Sequence, residues 1–327
     1  MSHPFIHPRN ALFLESAPAP SLPRVDHYCG VERLMRKSLA LQATRGPLFD
    51  VTLDCEDGAA IGAEAEHIQL VTELLNGTDN RFGRVGVRVH PVDHGAFDLE
   101  LAALAASSIQ PAYLMLPKLA SAAQLALGIE RVRAAWVDRE PPPLHGLIET
   151  HGGLRDVEQM AAHPSIESLS FGLMDFVSAH HGAIPRSALT LQGQFEHPLV
   201  LRAKLDISAA CHAHAKVPSH CVVTELKSPA DLEAAARKAS QSLGYTRMWS
   251  IHPDQIDPIL AAFMPSTAEV EEAIEILELA QNAHWAPIRH RDHLHDRASY
   301  RLFWCLLERA YQTGYPLSQD VTQRYFA

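Results

Sequence analysis

The chain has 327 residues, 47% of them hydrophobic and 20% charged, a composition suited to an ordinary globular protein with ample material for one core. Its net charge of −10, with no Lys/Arg-rich run to neutralise phosphates, excludes nucleic acid as a default partner. No apolar stretch approaches the roughly 20 residues that span a bilayer. The opening MSHPFIHPRN lacks a basic-then-apolar leader, and five cysteines without a CxxC pair argue against a disulfide framework. The expectation is a cytoplasmic protein with no membrane partner.

Short apolar runs alternate with helix-period segments along the chain. Ala11–Glu15 reads as a first strand and Val31–Gln42 as the helix after it. Leu48–Leu53 and Ala63–Leu75 form a second pair, the helix ended by Asn76-Gly77. Val85–Val89 is a β-branched third strand, followed by a helix around Leu99–Ala106. Ala112–Leu116 is the fourth, followed by Ser121–Trp136 with a serine at its N-cap. Leu144–Ile148 is the fifth, with a helix over Leu154–Ala162. Ser168–Phe171 is the sixth, its helix delayed until about Leu199–His214. Cys221–Leu226 is the seventh, leading to a helix that starts at Ser228-Pro229. Arg247–Ile251 is the eighth, with a helix near Gln255–Ala262. Eight strand–helix pairs with no shift of composition predict an α/β fold, a (β/α)8 TIM barrel, over residues 1–265. From Thr267 the pattern is helical, so residues 266–327 read as a C-terminal extension, a lid or oligomerisation segment.

Polar residues fall at the strand ends. The second strand ends in Asp54-Cys55-Glu56-Asp57, the third in Arg88-Val89-His90, the fourth in Pro117-Lys118. The fifth ends in Glu149-Thr150, the sixth in Gly172-Leu173-Met174-Asp175, the eighth in His252-Pro253. In a barrel these ends meet at one rim, where the active sites of this fold lie. One such carboxylate, Asp57 above all, serves equally well as a helix cap. Concentrated negative charge from all of them needs a cation. Glu149 and Asp175 suit a hard divalent ion, Mg²⁺ or Mn²⁺, which takes one or two carboxylates and keeps waters that substrate oxygens replace. Arg88 suits a substrate carboxylate or developing enolate, because its guanidinium grips two oxygens at once. Lys118 either adds to that field or pairs with Glu56 or Asp57. His90 at the rim is a candidate substrate contact or general base.

The segments LDCEDG (53–58), VRV (87–89), LPK (116–118), LIET (147–150), FGLMD (171–175), SIHPDQ (250–255) and FMPS (263–266) occur in this order. Together they resemble the citrate lyase β-subunit-like family, of the HpcH/HpaI aldolase and phosphoenolpyruvate/pyruvate-type barrels. The resemblance implies a Mg²⁺-dependent lyase, usually trimeric or hexameric, that cleaves citryl-CoA or malyl-CoA to a keto acid and an acyl-CoA. It implies that Glu149 and Asp175 bind the metal, that Arg88 contacts the oxo acid, and that Glu56 and Asp57 support the site. The chain departs from the pattern with Glu64 and Ile68 where relatives carry Lys and Arg, His90 where they carry Asn, and Glu15-Ser16-Ala17-Pro18 in place of a Val-Pro-Gly loop. These departures bear on the coenzyme A thioester. They keep open an aldolase on free hydroxy-keto acids, an acyl-CoA thioesterase and a non-catalytic barrel subunit.

Two histidine groups, His212/His214/His220 with Cys211 and Cys221, and His284/His290/His293/His295, lack finger spacing and read as surface or capping residues. Residues 58–62, GAAIG, match no phosphate loop, so no nucleotide cofactor is assigned.

Overall fold

The computed structural model describes residues 5–13, 18–225 and 228–327. Its first element, α1 (Pro8–Leu12), corrects the expected opening strand. Pro8 fixes φ at the first helical position and the His7 side chain accepts from the Arg9 N–H, so Ala11 and Leu12 are helical. Leu14 and Glu15 lie outside the described residues. The first strand is instead β1 (Val25–Cys29), whose sequence VDHYC conceals it. Asp26 and His27 are buried among partners supplied by other strands and the first barrel helix, so no apolar run marks the segment.

The remaining strands are β2 (Phe49–Asp54), β3 (Val85–Arg88), β4 (Leu114–Leu116), β5 (Leu144–Ile148), β6 (Ile166–Phe171), β7 (Val217–His220) and β8 (Arg247–Ser250). They form a closed barrel in chain order, all neighbours parallel, with β1 paired to both β2 and β8. The predicted (β/α)8 barrel is therefore the fold. The seventh strand lies four residues before its expected place, because its sequence VPSH is polar and holds a proline. Cys221–Glu225 have no regular structure, and Leu226 is outside the described residues. The helices between strands are α2 (Glu32–Arg45), α3 (Glu64–Leu75), α4 (Phe97–Ala106), α5 (Ala122–Ala135), α6 (His151–Arg155) and α7 (Val157–Ala161). After β6 come α8 (Leu173–Ser178), the 3₁₀ turn Arg186–Leu189, α9 (Gly193–Glu196) and α10 (Pro198–Ala213), then α11 (Pro229–Leu243) and α12 (Ile256–Phe263). Ser121 caps α5, its side chain accepting from the Gln124 N–H as the sequence predicts.

Inward-facing side chains stack in layers. The lowest is charged. Arg247, fully buried, lies 3.1 Å from Asp26 and 2.5 Å from Asp50, and donates to the Tyr113 hydroxyl at 3.3 Å. That hydroxyl donates to Asp26 at 2.9 Å, the Tyr113 ring stacks on His145 at 3.9 Å, and Arg84 forks onto Asp50 from outside. Gly86 makes room for Tyr113, since a Cβ there would sit 2.2 Å from its ring. One residue further along each inward row, Tyr28, Met115, Leu147 and Trp249 form an apolar layer that floors the rim.

Contacts divide the chain into two compact units, residues 20–262 and residues 263–327 with the N-terminal stretch. The second unit is built on α13 (Thr267–Asn282), α14 (Arg297–Gln312) and α15 (Gln319–Tyr325), joined by a short hairpin, β9 (Ile288–His290) and β10 (His293–His295). Its core packs Trp304, Tyr300, Leu307, Ile276 and Trp285 with Ala11 and Leu12 of α1. Among the described residues, no helix is long and apolar enough to cross a membrane.

Removing the Arg247 side chain leaves Asp26 and Asp50 buried with their shared cation gone. Arg247→Met is expected to destabilise the barrel by about 3–5 kcal/mol. Urea unfolding should show this as a lower midpoint at unchanged slope.

Candidate active site

The site is assembled from strand ends. Asp54, the last residue of β2, shapes it. Its Oδ1 accepts from the Glu56 N–H at 3.0 Å and its Oδ2 from the Gly58 N–H at 2.8 Å, which folds residues 55–58 into a tight turn. Gly58 is required there, because a Cβ would lie 2.2 Å from Asp54 Oδ2. The same carboxylate receives Arg88 from β3, Nε at 2.7 Å and Nη2 at 2.5 Å, a bidentate grip that sets the guanidinium plane. The turn then delivers Glu56, whose Oε2 lies 3.0 Å from Arg88 Nη1 and whose Oε1 meets the Lys118 ammonium. Asp57, further out, lies 3.1 Å from the same ammonium. Beneath them, the Arg88 guanidinium carbon lies 5.4 Å from the centre of the Tyr28 ring, which stacks on Trp249 at 4.3 Å.

Lys118 joins this cluster to the second one. Its backbone is left-handed, φ 52°, an uncommon conformation for a side-chain-bearing residue that is tolerated where surroundings over-determine it. In that conformation its N–H donates to Glu149 Oε1 at 2.7 Å while its side chain reaches back to Glu56. Partial burial works against its charge, but Glu56 and Asp57 outweigh this and hold the amine protonated well above its usual range. That disfavours a Schiff-base role, which needs the neutral amine.

Glu149 follows β5 and is buried, 3% exposed. Burial, reinforced by the charge of Asp175 in the first turn of α8, pushes its carboxyl up to about 8. Gly172 stands beside it, where a Cβ would sit 2.2 Å from Glu149 Oε2. Five carboxylates (Asp54, Glu56, Asp57, Glu149 and Asp175) thus share a rim with two cations, Arg88 and Lys118. Among the described residues, no group of three or more His, Cys, Asp or Glu side chains forms a ready metal cage. Glu149 and Asp175 make a two-carboxylate site, the kind that suits Mg²⁺ completed by water and substrate oxygens.

Of the residues expected from the sequence, Arg88, Glu56, Asp57, Lys118, Glu149 and Asp175 are brought together. His90 is turned elsewhere. Its Nδ1 lies 2.5 Å from Glu100 of α4, its backbone N–H donates to the same carboxylate, and its ring stacks on His94 at 4.1 Å. Among the described residues no hydrogen bond, ion pair or ring contact joins it to the Arg88–Glu149 cluster. Ile68 is buried on the inner face of α3, and Glu64, half-buried, accepts from the Gly62 N–H. In the histidine groups His212 meets the Gly244 carbonyl, His214 Glu158 and His290 Glu275, but His220, expected at the surface or in a cap, is fully buried and stacks on Phe195 at 5.4 Å. Asp54, the partner of Arg88, was missed because an acidic run does not reveal which member points inward; Tyr28 was missed with its strand.

The match to the HpcH/HpaI aldolase/citrate lyase family runs over residues 36–253. The chain belongs to this family. A citrate lyase structure from Burkholderia xenovorans LB400 is 51% identical, covers 98% of this chain and 100% of its own, and superposes with a TM-score of 0.83. The L-malyl-CoA/beta-methylmalyl-CoA lyase of Rhodobacter capsulatus is 26% identical over 251 residues, 71% of this chain and 77% of that one. Protein CitE from Mycobacterium tuberculosis, solved with magnesium, acetoacetate and coenzyme A, shares the fold at 22% identity. Its TM-score is 0.67, over 89% of this chain and 99% of that one.

The raised carboxyl carries a pH signature. Between about pH 4.5 and about 8 the folded, metal-free protein keeps a proton on Glu149 that the unfolded chain has released. Stability therefore falls as pH rises through this window. Thermal melts in chelator should show a lower Tm at pH 8 than at pH 5, and Glu149→Gln should flatten the difference.

Proposed function

We propose that this family member is a Mg²⁺-dependent carbon–carbon lyase. It cleaves a β-hydroxyacyl-CoA of the malyl-CoA or citryl-CoA type to an oxo acid and an acyl-CoA. The observation that carries the reading is the buried Glu149 carboxylate beside Asp175, at a rim where carboxylates outnumber cations. A divalent cation relieves both the burial penalty and the mutual repulsion. Family membership gives the reaction class, and the lyase relatives and the CitE complex support its substrates.

Glu149 and Asp175 would hold the ion, with Mn²⁺ an alternative occupant, and Mg²⁺ bound there supplies Lewis acidity toward the substrate oxygen that becomes the keto oxygen. Arg88 does the complementary work. With Nε and Nη2 committed to Asp54 and Nη1 near Glu56, its plane is fixed before substrate arrives. Its remaining N–H donors face charge developing on the oxo acid at no cost in reorganisation. Lys118 neutralises Glu56 and Asp57, so the carboxylates nearest Arg88 do not expel an anionic substrate. Cleavage takes the proton from the β-hydroxyl, breaks the carbon–carbon bond and returns a proton to the enolate carbon of the departing acyl thioester. A homotrimer or hexamer in the cytoplasm completes the proposal; all five cysteines stand as free thiols, which fits a reducing compartment.

Calorimetric titration of oxaloacetate, glyoxylate and pyruvate, with and without Mg²⁺ and acetyl-CoA, tests the reading. The lyase predicts Mg²⁺-dependent oxo-acid binding strengthened by acetyl-CoA. Glu149→Gln and Asp175→Asn are each expected to lower kcat/KM by about 10²–10³-fold. Oxo-acid binding indifferent to acetyl-CoA would favour a free-acid aldolase. Thioester hydrolysis without oxo-acid release would favour a thioesterase. Binding of neither would leave a non-catalytic barrel.

A further inference from the structure

Helix α10 packs on β7, and the contact buries a lysine. Lys204 is 0% exposed, and among the described residues no carboxylate pairs with it. A lysine is rarely buried this way without an anion. Its ammonium lies 4.2 Å from the centre of the Phe195 ring and donates to Gln194 Oε1 at 2.8 Å. Both partners are neutral. The thiol of Cys221, the residue after β7, donates to the same Gln194 oxygen at 3.3 Å and hydrogen-bonds the lysine as well. Lys238, whose ammonium lies 4.9 Å from the same Phe195 ring, only adds positive charge. Among the described residues, Cys221 is therefore the neighbour that can supply the missing negative charge.

Two further polar atoms of this cluster are buried without partners among the described residues, Gln194 Nε2 and His220 Nε2. His220 Nδ1 lies 3.1 Å from the Cys221 carbonyl, which assigns the ring proton to Nδ1 and leaves Nε2 a bare acceptor. Burial, with Lys204 adding to it, keeps that imidazole neutral. An unmet donor and an unmet acceptor fit a guest that both accepts and donates hydrogen bonds, and water and hydrogen peroxide are the smallest of that kind. The cluster is covered by α9, a helix of 4 residues that includes Gln194 and Phe195. A single turn of this kind opens locally far more readily than the barrel unfolds.

We infer that Lys204 and Cys221 form an oxidative modification site, at which a hydroperoxide joins Lys204 Nζ to Cys221 Sγ. The inference is independent of the lyase reading. Proton transfer from the thiol to the amine gives the thiolate, which takes one oxygen from peroxide; a sulfenic acid forms and the other oxygen leaves as water. The neutral Lys204 amine then attacks the sulfur. The S–O bond breaks, an S–N bond forms, and the hydroxyl leaves as a second water with a proton from the amine. The sulfur is oxidised, peroxide is reduced to two waters, and the protein loses two hydrogens. Burial lowers the Lys204 ammonium to about 8, so the nucleophilic amine is present near neutrality. Burial raises the Cys221 thiol, and Lys204 opposes that rise. The product fastens α10 to the end of β7, and a thiol reductant reverses it by attack on the sulfur.

Peroxide treatment of the full chain, followed by non-reducing peptide mapping, tests this. The expected product is a peptide pair joined at Lys204 and Cys221, lighter than its reduced components by about 2 Da, uncut by trypsin after Lys204 and restored by dithiothreitol. The exposed Cys305 reports that peroxide was delivered. Lys204→Met should abolish the joined pair and raise irreversible Cys221 sulfinic acid by about ten-fold or more, since no amine intercepts the sulfenic acid. Cys221 recovered as sulfenic or sulfinic acid beside unmodified Lys204 would overturn the inference, as would a Cys221 still reduced once Cys305 is fully oxidised. Both of these outcomes are read on the unmodified protein, so the decision does not depend on the variant folding.

Discussion

The bidentate pair of Asp54 and Arg88 is the interaction on which the rim depends. Asp54 uses its carboxylate twice, once to pull the Glu56 and Gly58 N–H groups into a turn and once to orient the guanidinium. From that one anchor Glu56 is brought to Arg88, Lys118 to Glu56, and the Lys118 backbone to Glu149. Four strands thereby share a single chain of polar contacts. A shift at Asp54 reaches Glu149 through groups that are each already committed.

The barrel contains two charged layers that use the same chemistry to opposite ends. In the lower one, Arg247 and Arg84 face Asp26 and Asp50, and the Tyr113 hydroxyl fills in between. Charge there is balanced, and the layer holds the barrel together without calling for anything further. At the rim the carboxylates exceed the cations, and Glu149, buried beside Asp175, answers that excess by holding its proton up to about pH 8. The apolar layer of Tyr28, Met115, Leu147 and Trp249 separates the two networks. Burial of charge is tolerated below because it is paired, and above it creates a demand for a cation and an anionic substrate together.

The legible part of the site was its carboxylates and cations at the ends of apolar strands. The runs LHGLIE (144–149) and SLSFG (168–172) announce buried strands, and a charged residue that follows such a run falls at the rim. What could not be read was pairing. Lys118 could equally have answered Glu56, Asp57 or a substrate, and the structure gives it to both acids at once. His90 looked available, yet Glu100, ten residues on and one helix away, claims it. The first and seventh strands escaped for a related reason: Asp26, His27, Ser219 and His220 are polar yet buried, and the partners of Asp26 and His27, Arg247 and Ser250, lie far away in sequence.

By itself, the order of apolar runs and helical periods determined the architecture, because parallel strands buried on both faces must be apolar wherever their neighbours are apolar. It also determined which residue types reach the rim, because strand ends in a barrel share one edge. Only the tertiary structure decided that Asp54 rather than its neighbours holds Arg88, and that Lys118 turns left-handed to serve Glu149. Those outcomes depend on distances between residues remote in the chain, and electrostatic choice among several nearby charges is settled by ångströms that no local pattern encodes.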